Sequence, residues 1–237
     1  MCRLLGITNF DYSIHGHLVD NFCELARSGV VMAEDPPGHE DGWGMAYYVE
    51  GKLVVEKSGE SLLKERARVV EPLKRLGRTP VLILHLRKSA WKDSSSTRHA
   101  HPFHHDNVVF AHNGTVYEYK PLLPEITLPG LGGDALDTEV FFYHIMSFRE
   151  HGLAPAFRQS VARIKQGLRY SALNCLFSDG TTLYAYRDFT KEPDYYSLYK
   201  SLSPSSSLVC SEPLDDRHEW VAMEKGEFIE LPAAAIR

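Results

Sequence analysis

The order of strand-like and helix-like segments is the feature of this sequence that most constrains its fold. Short β-branched or aromatic segments, bounded by Gly, Asp, Pro or Asn, predict strands at residues 3–9, 43–49, 52–57, 81–87, 108–112, 172–178, 182–187, 208–211 and 227–231. Longer segments predict helices at residues 17–27, 64–76, 138–150 and 154–167. Because strands come first, then a helical pair and then more strands, the pattern favours packed α and β layers over repeated βαβ units. We therefore expect an α+β fold, a sandwich of sheets covered by helices on both faces.

Length and composition limit the class of protein. The 237 residues are 43 % hydrophobic and show no internal repeat, which predicts one globular domain over residues 1–237. The formal net charge of −5 gives no support to binding of nucleic acid or an anionic membrane. We expect no membrane span and no signal peptide, because the chain lacks a suitable apolar run. The four scattered cysteines indicate neither a disulfide framework nor a zinc ribbon, so a reducing cytoplasm is the simplest location.

The residue after the initiator methionine is a cysteine. Methionine aminopeptidases remove Met1 when the next residue is small, and removal would leave Cys2 with both a thiol and a free α-amine. The unperturbed pKa of such an amine is about 7.7–8.0, so much of it can act as a base near neutral pH. A nucleophile paired with its own terminal amine is a known activation strategy. Cys2 is therefore a candidate nucleophile, although some residue must occupy this position in any chain.

Two motifs lie at the ends of predicted strands. The sequence Asp-Gly-Trp-Gly at 41–44 places two glycines just before a strand, where they permit a tight turn and close backbone approach. Its ordinary interpretation is a turn leading into a strand. Arg87 ends the apolar strand predicted at 81–87, and its planar guanidinium suits a carboxylate. The ordinary alternative is a surface arginine that closes a sheet edge.

Two further motifs carry an amide and a carboxylate. Asn113 and Gly114 follow the strand predicted at 108–112; Asn-Gly is usually a hairpin turn. The Asn113 side-chain amide and the Gly114 backbone N–H could instead donate to a developing oxyanion. Asp137 opens the helix predicted at 138–150, where an N-cap is the ordinary interpretation. The same carboxylate could bind a substrate ammonium.

Taken in order, these motifs resemble the class II, N-terminal-nucleophile glutamine amidotransferase domain. The closest resemblance is to its small stand-alone members, and it is sharpest from Cys2 to about residue 150. It implies a four-layer αββα sandwich of the N-terminal-nucleophile hydrolase type, with the N-terminus in the cleft between the sheets, and it calls for no cofactor. The matching pieces are Met-Cys-Arg-Leu-Leu-Gly at 1–6, Asp-Gly-Trp-Gly at 41–44, His-Leu-Arg at 85–87, Ala-His-Pro at 100–102, His-Asn-Gly at 112–114 and Asp-Thr-Glu at 137–139.

The resemblance also implies a role for each candidate residue. Cys2 is similar to the nucleophile, and its α-amine to the general base. Asn113 and Gly114 resemble the oxyanion hole, Arg87 the clamp on the substrate α-carboxylate, and Asp137 the partner of the α-ammonium. The implied reaction hydrolyses the γ-amide of glutamine through a γ-glutamyl thioester and releases glutamate and ammonia.

The chain departs from the larger family members after the matching arginine. Members with a sugar-phosphate synthase domain carry Trp, Thr and His soon after it, whereas this sequence has Lys-Ser-Ala-Trp-Lys at 88–92. Contacts made by those side chains are therefore in doubt. No synthase-like segment follows, so we expect any use of the ammonia to require a separate acceptor enzyme.

The chain also contains a histidine cluster and three further cysteines. The histidines match no known metal-ligand spacing, so we expect no metal site there. His101 fits the amidotransferase pattern and is assigned to substrate binding, while His104 and His105 are predicted to be solvated loop residues. The remaining histidines of the cluster are His99 and His112. The cysteines predicted to be inert core residues are Cys23, Cys175 and Cys210.

Two other functions are compatible with the same residues. A γ-glutamyl amide hydrolase acting on a conjugate would use the same catalytic groups and differ only in its leaving-group pocket. A non-catalytic protein that binds glutamine or a γ-glutamyl compound would keep the two charge clamps. The presence of Cys2 argues against the second alternative, because binding alone needs no thiol.

Overall fold

The computed structural model describes residues 2–91 and 94–234. Twelve strands and four α-helices are present in these residues, with two short 3-10 helices at Lys120–Glu125 and Arg149–His151. The helices are α1 (Tyr12–Ser28), α2 (Leu62–Leu76), α3 (Asp137–Met146) and α4 (Leu153–Lys165). The strands are β1 (Arg3–Asp11), β2 (Trp43–Val49), β3 (Lys52–Ser58), β4 (Arg78–Leu86), β5 (Phe103–His105), β6 (Val108–Asn113), β7 (Asn174–Ser178), β8 (Thr182–Arg187), β9 (Tyr199–Leu202), β10 (Ser207–Cys210), β11 (Val221–Ala222) and β12 (Glu227–Pro232).

The strands form two antiparallel sheets. The first has seven strands in the spatial order β11-β9-β10-β1-β4-β2-β3, and the second has five in the order β12-β8-β7-β6-β5. β1 is central in the first sheet, where Leu5 lies opposite Leu84 of β4 and Cys210 of β10. β6 of the second sheet pairs with β7, which places Asn113 opposite Asn174.

Each sheet is covered on its outer face by a pair of helices. Leu5 of β1 belongs to a buried cluster with residues of α1 and α2, including Phe22 and Leu73. On the second sheet, the Phe110 ring packs edge-on against the Phe141 ring of α3, with centroids 5.3 Å apart. α4 contributes to the same cluster of buried aromatic side chains.

A separate core fills the space between the sheets. Because successive side chains of a strand point to opposite faces, Leu4 faces this core whereas Leu5 faces the helices. The sheets approach closely here, since a Cβ built at Gly6 would lie 2.9 Å from a methyl group of Leu183 in the second sheet. Helices, sheet, sheet and helices therefore stack as four layers, which confirms the predicted αββα fold.

Several element boundaries differ from the prediction. α1 begins at Tyr12 rather than at residue 17, because the Asp11 carboxylate caps it by accepting a hydrogen bond of 2.9 Å from the Ser13 N–H. Three strands were not predicted, namely β5, β9 and β11, which are two to four residues long and show no clear alternation. The prediction that His104 and His105 lie in a loop is wrong, since both belong to β5, although the His104 side chain is exposed.

Candidate active site

The pairing of β1 with β4 brings two predicted site residues to one end of the first sheet. Arg3, the first residue of β1, lies opposite Leu86, the last residue of β4. Cys2 directly precedes β1 and Arg87 directly follows β4, so the antiparallel register places them side by side. The turn before β2 holds this end of β4, because the Arg87 N–H donates to the Gly42 carbonyl at 2.8 Å.

The second sheet supplies the amide. The Cys2 backbone nitrogen donates a hydrogen bond of 3.1 Å to Oδ1 of Asn113, the last residue of β6. Five of the six predicted site residues line one pocket where the two sheets meet, and the sixth, Asn113, contacts the pocket residue Cys2 through this hydrogen bond. The five are Cys2, Arg87, His101, Gly114 and Asp137.

Cys2 is held from several sides. Its side chain is buried, and its Sγ lies 3.7 Å from the Lys88 carbonyl oxygen. Arg3 donates to the Cys2 carbonyl at 3.2 Å, and the Arg3 Nε forms an ion pair of 2.6 Å with Glu212. The fully buried Arg3 also stacks on the ring of Tyr195 at 5.2 Å. The backbone that carries the thiol is therefore fixed by contacts with distant parts of the chain.

Asn113 has a buried donor that nothing in the described residues accepts. The residue is 0 % exposed, and its Nδ2 has no hydrogen-bond partner among the described residues. Leaving such a group unpaired costs about 1–3 kcal/mol, which native structures rarely tolerate without a reason. Within the described residues the Asn113 amide therefore keeps an unused donor, on the side chain whose Oδ1 accepts from the Cys2 nitrogen.

Gly114 lies where no larger residue fits. A Cβ built there would lie 1.9 Å from the Ala172 carbonyl oxygen and 2.6 Å from Nε2 of His112. The His112 ring is itself fixed, with Nδ1 3.0 Å from the Thr138 hydroxyl and Nε2 3.0 Å from the Ala172 carbonyl. The Asn-Gly pair is thus a rigid strand end packed against α3 and the segment before β7, and the alternative of a two-residue hairpin turn does not apply.

Arg87 is a buried cation whose hydrogen bonds within the described part of the chain go to neutral groups. Its guanidinium is 4 % exposed and donates to the carbonyl and hydroxyl of Ser94, each at 2.9 Å, and to the Ser89 hydroxyl at 3.0 Å. Burial lowers its pKa, while the charges of Cys2, Asp41 and Asp137 act in the opposite direction. Among residues 2–91 and 94–234 this buried guanidinium is held by hydroxyl and carbonyl oxygens rather than by a carboxylate, which suits it to an anionic ligand.

Asp137 is the buried carboxylate of the same pocket. The prediction that it caps α3 is wrong: the N-cap is Leu136, and Asp137 is the first helical residue. The reason is that other segments use its oxygens, with Trp91 Nε1 donating to Oδ1 at 2.9 Å and the Val116 N–H donating to Oδ2 at 2.8 Å. Burial raises the pKa of Asp137, against the opposing effects of His112 and these hydrogen bonds.

One histidine of the predicted cluster lies in this pocket. His101 lines the pocket, and its ring lies 4.3 Å from that of His85. Burial lowers the pKa of both rings well below the ordinary value, so both are neutral near pH 7. Gly44 allows this arrangement, since a Cβ there would lie 2.1 Å from the His101 carbonyl oxygen.

The sequence predicted that the loop at 88–99 takes part in a leaving-group pocket, but it did not predict that this segment holds the two charged side chains. Ser89 and Ser94 hold the guanidinium, and Trp91 covers Asp137, while residues 92 and 93 lie outside the described part of the chain. The Asp41 carboxylate fixes this segment by accepting the Ser89 N–H at 2.8 Å. A serine on each side of a tryptophan directly after the arginine was the available signal, but such short polar runs are common in loops.

Comparison with known proteins identifies the family of this chain. The family model for class II glutamine amidotransferases matches residues 1–197, and the chain belongs to this family. An uncharacterized protein of Methanocaldococcus jannaschii is 28 % identical over 270 residues, which cover 97 % of this chain and 68 % of that protein.

Solved structures share the fold. A class II glutamine aminotransferase domain protein from Silicibacter pomeroyi superposes with a TM-score of 0.66 at 21 % identity, over 98 % of this chain and 95 % of that one. The glutamine phosphoribosylpyrophosphate amidotransferase of B. subtilis gives a TM-score of 0.71 at 18 % identity over 98 % of this chain. The match covers 47 % of that longer enzyme, so the present chain corresponds to about half of it.

No helix in residues 2–91 or 94–234 combines the length and apolarity needed to cross a membrane.

Proposed function

We propose that the protein hydrolyses the γ-amide of glutamine through a thioester on Cys2. The observation that carries this proposal is the buried Nδ2 of Asn113, which has no hydrogen-bond partner in residues 2–91 and 94–234, while Oδ1 of the same amide accepts from the Cys2 backbone nitrogen. A donor kept out of water and left without a partner is what stabilisation of a developing oxyanion requires, because no reorganisation is then needed during the reaction. Gly114 supports the same role, since its environment admits no side chain.

The charges of the pocket match those of a free amino acid. Glutamine carries one α-carboxylate, one α-ammonium and a neutral amide at its far end. The pocket contains one buried guanidinium, Arg87, one buried carboxylate, Asp137, and a thiol, Cys2. A carboxylate has about four acceptor positions, so Asp137 can accept from an ammonium in addition to its present donors, the Trp91 indole and the N–H groups of Val116 and Thr138. His101 is neutral, so it can lie against the substrate without competing for its charges.

The reaction follows from these positions. The α-amine of Cys2 takes the thiol proton, the sulfur bonds to the carbonyl carbon of the γ-amide, and the carbonyl electrons move onto the oxygen beside Asn113 and Gly114. Collapse of this intermediate breaks the C–N bond, and the nitrogen leaves as ammonia with the proton that the amine returns. Water then attacks the thioester through a second oxyanion, which releases glutamate and restores the thiol. The ammonia would pass to water or to a separate acceptor enzyme.

This mechanism requires loss of Met1, which lies outside the described residues. The Cys2 nitrogen already lies at hydrogen-bond distance from Asn113 Oδ1, so a free amine there would be oriented by the same contact. We expect the active form to begin at Cys2, and an intact mass that still contains Met1 in fully active enzyme would refute the mechanism.

A γ-glutamyl conjugate is the second candidate substrate. Beside the active site lies an open cavity of about 520 Å³ that Tyr117, Ser171 and Tyr196 help to line. It adjoins the catalytic pocket, because the N–H of Thr115, a pocket residue, donates to the Ser171 hydroxyl at 3.0 Å. A leaving group larger than ammonia would find room there, which favours testing a γ-glutamyl anilide alongside glutamine.

The deciding experiment is glutamate release by purified protein whose mass shows that it begins at Cys2. We expect release from glutamine with the wild type and none with Cys2→Ala, while the variant keeps the wild-type melting temperature. Cys23→Ala is the matched control, since Cys23 is also a buried thiol but lies on α1 in the outer core. Faster turnover of the anilide would assign the conjugate hydrolase. Binding of glutamine without any Cys2-dependent turnover of either substrate would contradict the proposal and leave a binding protein.

A further inference from the structure

Two histidines converge on one carboxylate at a position unrelated to the catalytic pocket. His17 Nε2 lies 2.9 Å from Asp215 Oδ2, and His218 Nδ1 lies 2.9 Å from Asp215 Oδ1. Among the described residues, these three form the only group of His, Cys or carboxylate side chains whose ligand atoms all lie within 4.8 Å of one another. His17 belongs to α1, whereas Asp215 and His218 follow β10.

Hydrogen bonds from the backbone hold the Asp215 carboxylate in place without an ion. Asp215 Oδ1 accepts the backbone N–H groups of Arg217 at 3.3 Å and His218 at 3.2 Å. Trp220 Nε1 donates to the Asp215 carbonyl at 3.1 Å. The segment is also tied to α1, because Asn21 Nδ2 donates to the Leu214 carbonyl at 2.8 Å. The three side chains therefore meet on a backbone that is already ordered.

We propose that His17, Asp215 and His218 bind one Zn²⁺ ion. Imidazole nitrogen and carboxylate oxygen are ordinary zinc ligands, and tetrahedral ligands at about 2.0–2.1 Å from zinc are about 3.3 Å apart. Both imidazole nitrogens lie near the same oxygen, Asp215 Oδ2, at 2.9 Å for His17 and 3.0 Å for His218, and these distances need to open by only a few tenths of an ångström. Side-chain exposures of 34 % for His17 and 28 % for His218 leave an open side from which water supplies the fourth ligand.

The ion would act as a structural tie between α1 and the segment after β10. That segment reaches the start of β1, because the Ser211 hydroxyl accepts the Leu4 N–H at 2.9 Å and Glu212 pairs with Arg3 at 2.6 Å. Zinc at Asp215 would therefore hold a segment that supports the backbone next to Cys2, without contacting the substrate.

The test is a calorimetric titration of metal-stripped protein with ZnCl₂, in a Cys2→Ala background that removes the reactive thiol as a competing ligand. We expect one ion per chain and a zinc-dependent rise in melting temperature, because an ion that binds only the folded state stabilises it. His17→Ala and Asp215→Asn should each weaken binding by at least the factor of about 10–100 that loss of a supporting residue costs a metal site.

His151→Ala is the matched control. His151 is an exposed histidine that lies 3.3 Å from the Glu150 carboxylate, so it imitates an unspecific surface site. It should leave the zinc affinity unchanged. Equal affinities in wild type, His17→Ala and His151→Ala, or no binding of zinc at all, would overturn the proposal. Because His17 is partly exposed on a helix, its variant is expected to fold even if Asp215→Asn does not.

Discussion

Replacement of Asn113 by Ala removes the unpaired donor and tests the oxyanion assignment directly. Loss of one such donor typically costs about 2.7–4 kcal/mol of barrier, or about 10²–10³-fold in kcat. KM should change little, because the donor acts on charge that develops only in the transition state. We expect this pattern in steady-state assays of glutamate release.

The same substitution should have little effect on stability. It takes the acceptor away from the Cys2 nitrogen, which costs about 1–3 kcal/mol, but it also removes a buried donor whose unpaired state costs about 1–3 kcal/mol. These two changes oppose each other. The melting temperature of Asn113→Ala should therefore remain close to that of the wild type.

Asn174 provides the matched control across the sheet. It lies opposite Asn113 and is equally buried, but its amide donates to Tyr196 and its oxygen accepts from the Asp188 N–H, each at 3.0 Å. Asn174→Ala should cost about 2–4 kcal/mol, since two bonds are lost and a buried N–H is left unpaired. The melting temperature should fall by about 2–4 °C for each kcal/mol lost, whereas kcat per folded enzyme should stay at the wild-type value. A kcat for Asn113→Ala within tenfold of the wild type would refute the oxyanion assignment.

Three further substitutions test the remaining pocket residues. Gly114→Ala should abolish turnover, because its Cβ would lie 1.9 Å from a carbonyl oxygen; normal turnover would show that this backbone can move. Arg87→Lys should raise KM about 10–100-fold with little change in kcat, because one or two charge-assisted hydrogen bonds to the substrate carboxylate are lost. An unchanged KM would contradict the assignment of Arg87 to carboxylate binding. Burial raises the pKa of Asp137, so in Cys2→Ala its carboxylate should become protonated, and glutamine binding should weaken, as pH falls, with a midpoint above about 3.9. Asp137→Asn should bind glutamine weakly at every pH. A pH-dependent affinity in that variant would assign the titration to another group.

The sequence predicted those parts of the fold that depend on local pattern. Strands rich in apolar and aromatic residues, such as β2 and β8, were predicted with their observed bounds. The short strands β9 and β11 were missed, because residues near a sheet edge carry little hydrophobic pattern. The role of Asp137 as an N-cap was predicted wrongly, since only the tertiary structure shows that Val116 and Trp91 use its oxygens.

The site residues divide in the same way into those that lie in sequence motifs and those that only the tertiary structure brings together. Cys2 and Asn113 were chosen because each lies in a recognisable motif, and the structure brings them within hydrogen-bond distance. His17 and Asp215 belong to no such motif, and nothing in their spacing along the chain indicates that they meet. A group of ligands contributed by segments this far apart cannot be recognised without the pairing of β1 with β10.

The central position of β1 also sets an order of assembly during synthesis. Leu5 pairs with Leu84 on one side, but its other neighbour, Cys210, is made much later. One edge of β1 therefore stays open until most of the chain has left the ribosome. A chain that stops before β10 would keep a hydrophobic strand edge unpaired, which makes truncated products prone to aggregate.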